Sequence, residues 1–209
     1  MPTRPMIINH MLRVLGEGGA SYDMSLHPTV QLCNGTLDAV AEEVLGKGWW
    51  FNREYGLRLV PDNRGEIIVP PDALDVSLHA VANMNVREKS RYVRRDNRLY
   101  DTYEHTYTLN RDILVDTIMK QQINDLPSVM QTYIQHKAAE TVFLDEDGDV
   151  QKLSKLEQRT AFAWQALQAA QLKNIATNAL DGTFARSLQS GWRGSGGGTN
   201  PNYIGGRLR

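Results

Sequence analysis

The stretch Gly48-Trp49-Trp50-Phe51-Asn52-Arg53-Glu54-Tyr55-Gly56-Leu57-Arg58-Leu59-Val60-Pro61-Asp62-Asn63-Arg64-Gly65-Glu66-Ile67-Ile68-Val69-Pro70 is where the chain changes its period. Before it, apolar residues recur at helical spacing; within it, Leu57 and Leu59 alternate with polar or exposed neighbours and residues 67–69 form a second short apolar run. Between the runs, Asp62-Asn63-Arg64-Gly65 supplies the turn chemistry of a hairpin, and Pro70-Pro71 closes the unit. The pattern therefore predicts that the two runs pair with each other. Three adjacent aromatics cannot share one side of a strand. One or two of Trp49, Trp50 and Phe51 belong in a core, leaving the other for an interface.

Towards the N-terminus the pattern is helical. Ile7, Ile8, Met11, Leu12 and Leu15 share one face of a segment over residues 7–17, and Gly16, Gly18 and Gly19 end it. Pro28 suits the first turn of a second helix, whose stripe is Cys33, Leu37, Val40, Ala41, Val44 and Leu45. Asn34 and Gly35 weaken its front, and Gly46 and Gly48 supply its stop, with Lys47 suited to the last turn.

Towards the C-terminus a second hairpin is predicted from Tyr92-Val93-Arg94, turning at Asp96-Asn97 into Leu99-Tyr100-Asp101. Residues 113–119 are rich in β-branched side chains and read as one more strand. Asp125-Leu126-Pro127 reads as a helix start, with a capping carboxylate and a first-turn proline. Leu126, Met130, Tyr133, Ile134, Ala138 and Val142 follow on one face. After a turn at residues 145–149, Val150, Leu153, Leu156, Ala163, Leu167 and Ala170 mark a last helix of roughly 25 residues. Beyond Gly182 the chain is glycine-rich and carries no acid, which predicts a flexible tail.

The fold class predicted is α+β: an antiparallel helical bundle from both chain ends, an inserted small β domain and a flexible C-terminal arm. The boundaries are 1–48 for the N-terminal helices, 49–120 for the β-rich domain, 121–181 for the C-terminal helices and 182–209 for the arm.

The chain has 209 residues, enough for one substantial domain or two small ones sharing a core. A net charge of -1 argues against coating nucleic acid by bulk attraction. Cys33 stands alone, so no intrachain disulfide and no thiolate metal cage can form. Asn9, His10 and Arg13 interrupt the N-terminal apolar stretch before it reaches the length of a signal core, and no run approaches a membrane span. A soluble protein that does not use the general secretory route is expected.

The motifs of chemistry are weak. Asp145-Glu146-Asp147-Gly148-Asp149 places carboxylates as a calcium loop does, but glycine comes two positions too early, and an acidic inter-helix turn is the favoured reading. The five histidines include no pair at zinc spacing. Glu104-His105 near Asp101 could be drawn as an acid–base group, yet no nucleophile elbow, phosphate loop or dinucleotide fingerprint accompanies it. No catalytic residue, metal or cofactor is assigned. Arg87, Lys89, Arg91, Arg94, Arg95 and Arg98 concentrate positive charge around the second hairpin. A solvated tip whose arginines guard exposed edges is the favoured reading. The other is a contact with acidic residues of a neighbouring subunit, preferred over phosphates.

An ordered set of short words resembles the tail tubular protein A family of short-tailed phages, the adaptors or gatekeepers. They are Gly48-Trp49-Trp50-Phe51-Asn52 with Gly56, Leu57-Arg58-Leu59-Val60-Pro61-Asp62, and Gly65-Glu66-Ile67-Ile68-Val69-Pro70. Leu99-Tyr100-Asp101, Asp125-Leu126-Pro127, Tyr133-Ile134 and Lys137-Ala138-Ala139 complete the set across about residues 5–175. The resemblance implies a structural virion protein, assembled in the host cytoplasm, that forms a dodecameric ring between portal and nozzle (tail tubular protein B). DNA would pass through its lumen during ejection. The tail departs from the family words. Trp192, Tyr203, Ile204 and Leu208 are spaced as anchors for separate pockets, and Arg207 and Arg209 could meet acidic rims, so the tail is expected to dock on a neighbour. With Arg91, Arg94, Arg95 and Arg98, residues Trp192, Tyr203, Ile204, Arg207 and Leu208 form the expected interface set. Two rival readings are a tail-associated glycan hydrolase, needing two carboxylates across a glycosidic bond, and a neck connector of a long-tailed phage.

Overall fold

Helix α1 (Arg4–Val14) starts with a proline in its first turn and buries Ile7, Met11 and Leu12. It stops at Gly16, whose φ of 84° a side chain would resist, and the amide of Glu17 closes back on the carbonyl of Leu12 at 2.9 Å. The computed structural model describes residues 2–18, 27–79, 91–147 and 149–181, with side chains as far as residue 175. Residues 1–170 form one compact unit; the rest of the last helix belongs to a second, residues 171–209.

Helix α2 (Pro28–Leu45) has its proline where no intrahelical donor is needed, and all six residues of its expected stripe are buried. It continues through Asn34, whose side-chain amide donates to the carbonyl of Val30 at 3.0 Å. Helix α3 (Ser128–Glu146) packs against α1 and α2, which touch each other. Helix α4 (Val150–Asp181) is longer than expected at 32 residues. It sends Ala163 and Leu167 into the cluster built by Ile7, Cys33, Leu37, Met130, Ile134 and Val142. Each fully buried aliphatic chain of this kind contributes about 1.5–3 kcal/mol. The stripe fails at its first member: Val150 is 77% exposed, because it opens the first turn, ahead of the part of α4 that meets the core.

The start of α3 also differs from expectation. Asp125 does not cap it; Asp125 closes a 3-10 turn (Ile123–Asp125), and Pro127 precedes the first helical residue. Gln131, buried, reaches back instead, donating to the carbonyls of Ile123 at 2.8 Å and Asn124 at 3.3 Å. Asp149 does act as a cap, accepting from the amides of Gln151 and Lys152 at 2.9 and 3.3 Å.

Between α2 and α3 lie strands β1 (Arg53–Leu59), β2 (Ala73–Leu78), β3 (Tyr92–Arg95), β4 (Arg98–Asp101) and β5 (Ile113–Met119). β5 is the centre of an antiparallel sheet of order β1-β5-β2, with Leu59 opposite Ile113 and Val76 opposite Thr117. β3 and β4 form the expected hairpin, and Asp96 and Asn97 hold the φ values of 49° and 59° that a two-residue turn requires.

The hairpin expected around residues 62–65 is overturned. Its turn exists, with the amide of Gly65 on the carbonyl of Asp62 at 2.9 Å, but β1 pairs with β5. Residues 67–69 lie beside β4 instead, through Leu99 N to Ile67 O at 2.9 Å and Val69 N to Asn97 O at 2.8 Å. Strand β2 was not anticipated. Leu59, Ile67, Val69, Ala73, Val76, Tyr92, Leu99, Ile113 and Val115 make a second core, separate from the helical one.

Candidate assembly surfaces

The β3–β4 hairpin carries the four described arginines of the expected contact, and the fold first uses them to hold itself together. Arg91 donates to Asp101 Oδ2 at 2.8 and 2.6 Å and to Glu104 at 2.9 Å. Asp101 has a side chain only 2% exposed and also accepts from the amides of Tyr103 and Glu104. Burial alone would push its pKa up; Arg91 and the two amides outweigh that and hold it below the ordinary carboxylate range. Arg98 forks onto Glu66 at 3.0 and 3.2 Å and lies over the ring of Tyr107. Arg94 donates to the carbonyl of Ala73 and to Asn97, tying the hairpin to the start of β2. Arg95 is the exposed member, stacked 4.0 Å from the centroid of Tyr100.

Glu104 and Asp101 thus serve Arg91, and His105 lies 3.5 Å from the Tyr100 hydroxyl. At the acidic turn, Lys152 meets Asp147 at 3.5 Å and Asp149 at 3.7 Å. Among the described residues, no three His, Cys, Asp or Glu side chains converge where they could hold a metal ion. Clefts of about 330 and 280 Å³ are lined by ion pairs, Arg4–Asp38 in the first and Arg91–Asp101 in the second.

Trp192, Tyr203, Ile204, Arg207 and Leu208 lie outside the described residues, as do Arg87 and Lys89. Of the aromatic triplet, Trp49 is buried, donating its indole N–H to the carbonyl of Val44 at 2.7 Å, while Trp50 and Phe51 pack at the rim of the helical core. Sequence reasoning missed the exposed apolar side chains of the helices. Phe162 is 70% exposed and Leu144 57% exposed. Phe162 could have been found, because it falls outside the stripe of Leu156, Ala163 and Leu167 on α4. Among the described residues, no helix is long and apolar enough to cross a membrane.

The family model described as tail tubular protein matches residues 7–190, a span that holds both cores and runs from within α1 to beyond the end of α4. Tail tubular protein A of Klebsiella phage KP34 is 23% identical over 182 residues, covering 87% of this chain and 94% of that protein. With both cores inside one match, the chain belongs to the tail tubular protein family.

Proposed function

We propose that this structural protein of a phage tail works as the adaptor ring between portal and nozzle, with DNA leaving through its lumen. The observation that carries the reading is the span of the family match, which takes in the helical core and the β section together. An adaptor needs two kinds of contact: sideways to further copies, and axially to two different partners. An antiparallel bundle of helices from both chain ends would supply the lateral wall. The β section, pinned internally by Arg91, Arg94 and Arg98, would act as a rigid axial lobe. The work is done by binding, not catalysis. Asp101 and Glu104 are engaged with Arg91, and Asp147 and Asp149 with Lys152. Residues 192–209 would dock on a neighbouring subunit or on portal or nozzle through Trp192, Tyr203, Ile204 and Leu208, with Arg207 at the rim.

Co-sedimentation of purified portal and nozzle, with and without this chain, tests the bridging role. The expected result is a three-component complex that forms only when the chain is present. A chain that binds neither partner, or a nozzle that joins the portal equally well alone, contradicts it.

A further inference from the structure

His10 on α1 and His136 on α3 face each other edge to face, their ring centroids 5.8 Å apart. His10 Nε2 and His136 Nδ1 are both shut off from solvent and have no hydrogen-bond partner. The charged groups around them have one sign. Arg13 on α1 and Arg159 on α4 both act on His10, and Arg159 also acts on His136. The carboxylates of α2, the other helix packed on α1, are engaged elsewhere. Asp38 binds Arg4 at 2.7 Å, Glu42 binds Lys120 at 3.0 Å and Glu43 lies 3.9 Å from Lys47. On α3, Glu140 takes Lys137 at 2.7 Å. Cys33, pushed up to about 11 chiefly by burial, stays a neutral thiol.

We propose that His10 and His136 form an acid-sensitive latch, holding α1 on α3 near neutral pH and loosening it under mildly acidic conditions. Two neutral imidazoles pack as aromatic rings do. A proton on either ring places a cation where no carboxylate is among the charges that act on it, with the other imidazole and Arg159 beside it, and Arg13 as well for His10. Water is the remaining way to solvate that charge, so the rings must part. Helix α1, with 11 residues and three buried apolar side chains, is the lighter of the two elements and the one that yields.

The direction follows from linkage. Burial lowers both pKa values from the ordinary 6.5, with the neighbouring His and Arg charges adding to it for His10 and Arg159 for His136. The folded state therefore binds fewer protons than the unfolded one. The latch's contribution is fully present above about 6.5 and is lost as pH falls from there through the folded values. This holds for a single chain and does not depend on the adaptor reading.

Hydrogen exchange of the full chain, followed by mass spectrometry at about pH 7.5 and about pH 5.5 and corrected for intrinsic exchange, tests it. Opening of the α1 amides should rise roughly threefold or more on acidification, and the rise should vanish in His10→Gln/His136→Gln. No rise in the parent chain, or an equal rise in the double variant, overturns the latch. Should that variant not fold, NMR titration of the two imidazoles in the parent chain decides. Both rings titrating below 6.5, with α1 shifts moving in step, supports the latch, and a ring titrating at or above 6.5 overturns it.

Discussion

Asn52 accepts a hydrogen bond from the Trp49 amide at 2.7 Å and donates to the carbonyls of Leu45 at 3.0 Å and Met119 at 3.1 Å. Its own carbonyl takes the Met119 amide at 2.8 Å. With 1% exposure, this one side chain joins the end of α2 to the end of β5 in the absence of competing water. Asn52→Ala should lower stability by about 2–3 kcal/mol in urea unfolding, because several buried polar groups lose their partners at once. A loss below about 0.5 kcal/mol would mean that the junction is held by something else. Gly48, four residues earlier, has φ 71°, and a Cβ there would sit 2.7 Å from Ile118 Cδ1. The sequence reading identified Gly48 as a helix stop, since that signal is local. It could not see the whole role of Asn52, since one of its partners, Met119, lies 67 residues away.

At the scale of elements, the same contrast between near and far decides what the sequence disclosed. Helix α2 was legible through its proline and its stripe, and the β3–β4 hairpin through Asp96-Asn97. β1 was paired wrongly because the turn at Asp62–Gly65 is genuine, while the strand that pairs with β1 begins at Ile113. β2 went unseen. Ala73 is a weak strand former, Pro70-Pro71 precedes it, and its pairing needs Ile118 and Thr117 from much later in the chain. The turn itself is testable. Asn97→Val, forcing a β-branched residue into φ 59°, should destabilise by about 1–2 kcal/mol, whereas Asn97→Gly, which loses the same side-chain contact with Arg94, should cost less. Equal losses would place the energy in the Arg94 contact and not in the backbone.

For the whole molecule, the family was legible because its words are spread in order over both cores. The contact surfaces were not. Arginines that look like a binding patch in the sequence turn out to have internal partners at Arg91, Arg94 and Arg98, which only tertiary structure reveals. Exposed Leu144 and Val150 carry no local signal of their exposure, while Phe162 stands off the stripe of α4. The proposed arm makes a prediction at this scale. Ordering glycines such as Gly194, Gly196, Gly197 and Gly198 costs roughly 1–2 kcal/mol per residue, which few side chains there could offset within one subunit. Removing residues 192–209 should therefore leave Tm within about 2 °C yet weaken assembly about tenfold. Unaltered assembly would rule the arm out, and a failure to fold would place it in the core.

The adaptor reading stands or falls on copy number and shape in the presence of the partner. Electron cryo-microscopy of the full chain mixed with its portal measures both together. The expected result is end-on averages of a closed dodecameric ring with an open centre, seated on one face of the portal. Portal particles without added density, alongside a chain that stays monomeric, would contradict it.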